Sequence, residues 1–178
     1  IFETALGESH PNVALSLNNL ASLYRVQGNY GTAEPLFYRS IAIYETSLGE
    51  NHPDVANSLN NLALLYQDQG NYGAAEPLFQ RSFAIWETTL GENHPNVATS
   101  LNNLAKLYQA QGNYEAAEPL FQRSLSIYET TLGEDHPSVA SSLNNLAELY
   151  QAQGNYREAE SLFQRSLSIY ETALGENH

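Results

Sequence analysis

The chain has 178 residues, a formal net charge of −13 and no cysteine. The negative charge argues against nucleic-acid binding, which depends on clustered lysine and arginine, and equally against docking on an anionic membrane. Disulfides and thiolate chemistry are excluded, and no apolar run approaches the roughly 18 residues of a membrane-spanning helix. These features favour a cytoplasmic protein, although they also fit a designed or idealised sequence.

One phrase recurs along the whole chain with a fixed period. A step of 42 residues (52 − 10 = 42) separates consecutive members of one histidine series: His10, His52, His94, His136 and His178. A period between about 20 and 50 residues is typical of repeat architectures, in which each unit packs only against its neighbours. We divide the chain into a helix tail at 1–9 and four units at 10–51, 52–93, 94–135 and 136–177. Because a unit is already in progress at residue 1 and another begins at residue 178, we expect a fragment of a longer array.

The first half of each unit predicts an amphipathic helix, which we call helix A. In the first unit, the following apolar residues have the spacing of one helical face: Val13, Leu17, Leu20 and Tyr24. Pro11 suits the first turn, where its missing N–H is not needed, and the region of Ser9 or His10 can provide the N-cap. Gly28 should end the helix, which gives a span of about residues 11–27.

The second half of each unit predicts a longer helix, helix B, from about Tyr30 to Leu48 in the first unit. Asn29 is a suitable N-cap, and Gly49 should stop the helix. Since only a short turn joins the two helices, they must pack antiparallel as a hairpin, and stacking of hairpins completes the core. Proline inside a helix costs roughly 3 kcal/mol. We therefore expect a bend or a loosened first turn in the three B helices that contain one: Pro35, Pro77 and Pro119.

The pattern of the third unit resembles the tetratricopeptide repeat. The motif positions are filled, in chain order, by Leu104, Tyr108, Gly112, Ala117 and Phe121. Three residues depart from the motif, which has Trp, Gly and often Ala at these places: Leu101, Ala105 and Ser124. Helix B continues past Ile127 to Leu132, and the extra turns lengthen the unit to 42 residues from the usual number of about 34.

The 42-residue form resembles the repeats of kinesin light chains and of related bacterial arrays, through its LNNLAxLY, QGxY, AExL and LGxxHPxVA phrases. The resemblance covers essentially the whole chain. It implies an all-α fold, a right-handed α-solenoid (superhelix) of stacked antiparallel helix hairpins, with helix A on the concave side. It also implies the binding of peptides or protein partners rather than catalysis.

No pattern in the sequence indicates an active site or a metal site. Neighbouring units should lie about 10 Å apart, too far for the repeated histidines to share a zinc ion with bonds of about 2 Å. We therefore interpret these histidines as turn residues bonded to local backbone. The glutamate of each LGE turn repeats in identical surroundings, whereas acid–base pairs need unlike ones. Phosphate-binding loops, nucleophile elbows and HExxH motifs do not occur, so we expect neither an enzyme nor a cofactor.

The remaining candidate surface is the side of helix A that points away from helix B, which we call the A face. The stripe of tyrosine and phenylalanine, with Trp86 as a variant, is interpreted as core rather than as a ligand box. Every A face carries an asparagine pair, and amides offer donors and acceptors to the backbone of an extended peptide. We predict peptide contacts at Asn18, Asn19, Arg25, Asn60, Asn61, Leu64, Gln67, Asn102, Asn103, Lys106, Gln109, Asn144, Asn145 and Gln151.

Other interpretations of these features stay open. The asparagine pairs have an equally weighted structural role, as a ladder between adjacent A helices that sets the repeat spacing. The charged residues of the A face sum to zero, which argues against an acidic ligand: Arg25, Asp68, Lys106 and Glu148. The whole chain has a second interpretation as a structural spacer or self-assembling array. Neither end of the chain has the polar outer face of a terminal capping repeat, and apolar ends favour head-to-tail self-association.

Overall fold

The computed structural model describes Gly7 and residues 9–174. The predicted helix tail at 1–9, apart from those two turn positions, and His178 lie outside the described residues. Eight α-helices and no strand occur in the part of the chain that is described. The A helices are α1 (Pro11–Val26), α3 (Pro53–Asp68), α5 (Pro95–Ala110) and α7 (Pro137–Ala152). The B helices are α2 (Tyr30–Leu48), α4 (Tyr72–Leu90), α6 (Tyr114–Leu132) and α8 (Tyr156–Leu174). The all-α prediction is confirmed.

Each A helix begins with the same local structure, a histidine N-cap followed by proline. The Nδ1 atom of His94 accepts a hydrogen bond from the backbone N–H of Asn96 at 3.1 Å. The same cap occurs at His10, His52 and His136. The predicted N-cap region is thereby narrowed to the histidine. The interpretation of these histidines as turn residues bonded to local backbone is confirmed.

The turn between the two helices closes slightly earlier than predicted. Helix α1 ends at Val26 rather than at residue 27, because Gln27 is its C-cap. Gly28 then adopts a φ of 74°, a left-handed conformation that glycine adopts without steric cost. Asn29 does not cap α2 with its side chain, which instead accepts a hydrogen bond from the Thr32 hydroxyl at 2.9 Å. The predicted bounds of helix B, Tyr30–Leu48, are confirmed.

The internal prolines do not shorten the B helices. The three helices that contain proline have 19 residues each, the same length as α8, which has Ser161 at that position. The first-turn bond from Ala33 N–H to the Asn29 carbonyl is 3.1 Å long, as is its counterpart in α8. The first hydrogen bond of the helix is therefore kept, because the bond that Pro35 removes would have joined position 35 to the Gly31 carbonyl; the expected loosening of the first turn is not seen at this bond. The expected bend stays a prediction.

The hairpins group into two compact units, one ending at Thr89 and the other starting at Leu90. Each unit contains two hairpins, and helix B of its first hairpin packs against helix A of its second, as α2 on α3 and α6 on α7. Phenylalanine at one helix B position is fully buried in three hairpins: Phe37, Phe79 and Phe121. Such a side chain contributes roughly 1.5–3 kcal/mol through burial. Trp86, only 3% exposed, is a core residue as predicted.

In every hairpin a buried serine of helix B donates a hydrogen bond to the backbone of helix A. The hydroxyl of Ser124 donates to the carbonyl oxygen of Ala98 at 2.8 Å. The same bond occurs in the other hairpins between Ser40 and Ala14, Ser82 and Ala56, and Ser166 and Ala140. At the motif position where alanine is common, this chain has serine. The serine hydroxyl adds a hydrogen bond between the two helices.

Candidate functional site

The predicted site residues differ in accessibility. The first asparagine of the pair is buried in three units, with exposures of 8%, 8% and 9% for Asn18, Asn60 and Asn102. The second asparagine is exposed in the first unit and half-buried in the others: Asn19, Asn61, Asn103 and Asn145. The projected exposed surface is therefore wrong at the first asparagine. In α1 and α5 the reason is that the next A helix of the same compact unit packs beside it.

Asparagine side chains link the A helices within each compact unit. The Nδ2 atom of Asn61 donates to Oδ1 of Asn18 at 3.2 Å, and Nδ2 of Asn145 donates to Oδ1 of Asn102 at 3.5 Å. Asn102 also donates through its own Nδ2 to the hydroxyl of Ser142 at 3.2 Å. The ladder that was one interpretation of these residues is thus present inside both units. It holds the amide of the second asparagine in a defined orientation.

Two of the four charged residues of the A face form an ion pair. The Arg25 guanidinium lies 2.8 Å from the Asp68 carboxylate, with side-chain exposures of 21% and 39%. A partly exposed pair of this kind contributes little to stability. It does neutralise the formal charge of the A face in the first compact unit. In the second compact unit Lys106 and Glu148 are exposed, and they occupy equivalent positions on α5 and α7.

The remaining predicted residues surround these groups. Leu64, Gln67, Gln109 and Asn144 are half-buried, whereas Gln151 is exposed at the end of α7. Among the predicted contact residues, Leu64 is the one apolar side chain and the others are polar or charged. Whether a ligand contacts it stays a prediction.

Sequence reasoning missed the polar bonds between successive hairpins. The Tyr66 hydroxyl donates to Oε1 of Glu34 at 2.6 Å, and the equivalent bond from Tyr150 to Glu118 is 2.9 Å long. Burial, together with the hydrogen bond to Glu34, raises the pKa of Tyr66 well above its usual range. The available signal was a constant separation of 32 residues between each tyrosine and its glutamate.

Sequence reasoning also missed the ion pairs that join the B helices of each compact unit. Arg81 lies 2.7 Å from Glu45, and Arg165 lies 2.7 Å from Glu129. Both pairs have a separation of 36 residues. They occupy the surface opposite the A face and use part of the acidic charge of the chain.

The described residues contain no cluster of three or more histidine, cysteine, aspartate or glutamate side chains that could hold a metal ion. Within the same part of the chain, every helix is too short or too polar to span a bilayer.

Comparison with known proteins gives a consistent result. A sequence model of the tetratricopeptide repeat matches the chain in four overlapping segments, at residues 1–46, 12–87, 54–130 and 104–172. A search of curated protein sequences gives no significant match.

Solved structures show the same arrangement of helices. BtubC (BKLC) from P. vanneervenii superposes with a TM-score of 0.83 at 25% identity, covering 93% of this chain and 66% of its own. The chain thus spans slightly less than two thirds of that relative. A kinesin light chain-type protein from Podosopora anserina, with nearly identical TPR-like repeats, has a TM-score of 0.76 and 32% identity, covering 97% of this chain and 82% of its own. Aspartyl phosphate phosphatase F from Bacillus subtilis, at 18% identity and a TM-score of 0.80, shares the fold over 94% of this chain and 44% of its own.

Proposed function

Because the chain belongs to the tetratricopeptide repeat family, we propose that it is a scaffold that binds an extended peptide or partner protein on its A face. Repeats of this family generally serve as protein-interaction scaffolds and are typically not catalytic. The binding surface would be formed by α1 and α3 in the first compact unit and by α5 and α7 in the second. The absence of catalysis and of nucleic-acid binding, and a cytoplasmic location, stay predictions.

The observation that carries this proposal is that the second asparagine of a pair is held by a hydrogen bond and is still partly accessible. Asn61 and Asn145 are each anchored by one hydrogen bond to the preceding A helix, yet remain partly accessible. An amide has a second N–H and an acceptor oxygen beyond that bond, which suits the carbonyl and N–H groups of a peptide backbone. Since the side chain is already ordered, little conformational entropy is lost when a ligand binds.

Selectivity would come from a position that differs in every repeat, occupied by Ser22, Leu64, Lys106 and Glu148. In the second compact unit, Lys106 and Glu148 lie on neighbouring A helices, whose axes are about 10 Å apart in packed helix pairs. An extended peptide in the polyproline II conformation rises about 3.1 Å per residue with three residues per turn, so side chains three residues apart lie on one face at about that distance. The second compact unit should therefore prefer a peptide with an acidic and a basic side chain three residues apart. The first compact unit should prefer an apolar side chain beside Leu64.

A displayed library of random peptides, selected against the full chain, tests this proposal. Enriched sequences should carry an acidic and a basic residue at a spacing of three. The exchange variant Lys106→Glu with Glu148→Lys should select the reverse order of charges. A matched control, Ser126→Lys, adds a charge at an exposed position of helix B and should leave the selected sequences unchanged. Failure to enrich any peptide, or the same charge order in both selections, would contradict the proposal.

The second candidate function is a structural spacer or self-assembling array. It is favoured by the repetition of one helix hairpin at a fixed period of 42 residues. A spacer would enrich no peptide in the selection, so the same experiment separates the two functions.

A further inference from the structure

The indole N–H of Trp86 is a buried donor without a hydrogen-bond partner. Trp86 on α4 is the one tryptophan of the chain and is 3% exposed. Its Nε1 atom bonds to no atom of the described residues, although buried polar groups nearly always have a partner. The ring belongs to the core, whereas the N–H is a donor that the core does not use.

The equivalent tyrosines show where the polar end of this helix B position meets helix A. The Tyr128 hydroxyl lies 2.7 Å from the hydroxyl oxygen of Thr99, and the Tyr170 hydroxyl lies 2.8 Å from that of Ser141. Thr99 and Ser141 are exposed. Thr99 lies one helical turn before Asn103 and therefore on the same side of α5. The aromatic residue at this position thus reaches the helix surface next to the asparagine pairs.

In the third and fourth hairpins these polar groups satisfy one another. The Thr99 hydroxyl also donates to the Pro95 carbonyl at 3.1 Å, and Ser141 donates to the Pro137 carbonyl in the same way. Because a hydroxyl has one hydrogen, the Tyr128 hydroxyl is then the donor to Thr99. Every hydroxyl hydrogen is used within the hairpin, so the position offers no donor to a ligand.

In the second hairpin the same position is open. Asn57 and Trp86 have the separation of 29 residues that joins Thr99 to Tyr128 (86 − 57 = 29). Asn57 is exposed, and its side-chain amide makes no hydrogen bond within the described part of the chain. The first hairpin has Leu15 at this place, which offers no polar group. Of the four hairpins that the structure describes, only the second combines a free indole N–H with a free amide.

We propose that Trp86 and Asn57 form a site that binds one backbone carbonyl of an extended peptide. This inference rests on the proposed function of the A face and adds a helix B residue to it. The indole N–H can only donate, so it would bond to the carbonyl oxygen of the ligand. The Asn57 amide has both donors and an acceptor, which suits the N–H of the next peptide group.

The charge beside the site favours an uncharged ligand group. Asp54 lies one helical turn before Asn57, on the same side of α3, and its side chain is 45% exposed. This carboxylate repels a carboxylate or phosphate of a ligand. A neutral carbonyl oxygen avoids that repulsion and still accepts the indole hydrogen.

The distance to Asn61 connects the site to the rest of the A face. Asn57 lies one turn before Asn61 on α3, and one helical turn rises about 5.4 Å. An extended peptide advances about 3.3 Å per residue. A backbone held by Asn61 therefore comes within about two residues of the site formed by Trp86 and Asn57.

The single tryptophan makes the site directly observable, because proton–nitrogen NMR of the full chain gives one indole N–H signal. The probes are tri-alanine capped by acetyl and N-methylamide groups, propionamide as a side-chain amide, and acetate as an anion. The capped peptide should move the indole proton signal downfield and saturably, since a hydrogen bond forms at Nε1. A saturable shift by propionamide or acetate but not by the peptide would overturn the backbone assignment. No shift by any probe would overturn the site.

The chain also supplies a closed form of the site. The double variant Asn57→Thr with Trp86→Tyr reproduces the pair of Thr99 and Tyr128, which the fold already accommodates, so helicity should be unchanged. A library-selected peptide should bind this variant roughly tenfold more weakly, because the hydrogen bonds of the open site are lost. Tyr128→Phe is the matched control. It removes a hydroxyl from a closed pair and should leave the Kd nearly unchanged.

The two measurements separate this site from the proposed function. If selected peptides bind the closed variant as tightly as the unmodified chain and leave the indole signal in place, the site is wrong and the scaffold function stands. If the library enriches no peptide, the proposed function fails, and the titration with capped tri-alanine alone decides the site.

Discussion

The side-chain amide of Asn61 donates a hydrogen bond to the side-chain oxygen of Asn18, 43 residues earlier, at 3.2 Å. Asn145 and Asn102 repeat this relationship at 3.5 Å. One repeat plus one residue places the second asparagine of an A helix beside the first asparagine of the preceding A helix. The amides therefore join neighbouring hairpins inside each compact unit, and they do so on the surface that we propose binds a ligand.

Replacing Asn102 with alanine should lower the free energy of unfolding by about 1–3 kcal/mol, because it leaves the partly buried amide of Asn145 without its acceptor. Urea unfolding of Asn102→Ala, Asn145→Ala and the double variant should give a coupling energy of about 0.5–1.5 kcal/mol. Asn19→Ala, at the exposed asparagine, is the control and should change stability by less than about 0.5 kcal/mol. Strictly additive effects of the two single variants would exclude a stabilising amide link.

Removing the buried hydroxyl of Ser124 should destabilise the third hairpin. The variant Ser124→Ala loses the hydrogen bond to the Ala98 carbonyl, which contributes about 0.5–1.5 kcal/mol. The exposed Ser126 on the same helix provides a matched serine-to-alanine control. Thermal unfolding of both variants should show a lower Tm for Ser124→Ala only. An equal Tm for the two variants would show that the bond makes no net contribution.

Buried tyrosines should make the fold sensitive to alkaline pH. Burial, with a contribution from the nearby Asp54 carboxylate, raises the pKa of Tyr44 to about 12. Burial also raises the pKa of Tyr128 and Tyr150. Since an unfolded tyrosine has a pKa of about 10, the folded state favours the neutral phenol. The resulting stability is complete below about pH 10 and is lost as the pH rises from there towards about 12.

Tyrosinate absorbance, recorded together with circular dichroism, measures this effect. Part of the 12 tyrosines should resist ionisation until helicity is lost above about pH 10, whereas all should ionise near pH 10 in denaturant. Ionisation of every tyrosine near pH 10 with helicity unchanged would contradict the assigned burial.

Replacing Pro77 with alanine should leave stability equal or higher, because alanine restores a backbone donor inside α4. Helix α8, which has Ser161 at the equivalent position, has the same length without proline, so the fold accommodates either residue. Thermal unfolding of Pro77→Ala checks this expectation, with the matched reverse change Ser161→Pro expected to lower stability or leave it unchanged. A loss of several degrees in the Tm of Pro77→Ala would show that a proline bend is needed for packing.

The helices could be predicted to within one residue because their ends depend on neighbouring residues, such as the histidine–proline start and Gly28. The burial of Asn18 could not be predicted, because it depends on the offset between successive A helices and not on the periodicity within one helix. The bond from Tyr66 to Glu34 was missed for the same reason. The partly exposed second asparagine was found, because its position on the A face follows from the helical projection alone.

The most direct test of the central claim measures the affinity of a library-selected peptide for the Asn61→Ala plus Asn103→Ala variant. Binding is measured by calorimetry well below the Tm of each protein, with Ser126→Ala as the control. Loss of two amide contacts should weaken binding by about 1–3 kcal/mol, or roughly 5- to 150-fold in Kd. The neutral A face should make this affinity depend only weakly on salt. An unchanged Kd in a folded double variant would contradict the account, since the asparagines of the A face would then serve only to join the helices.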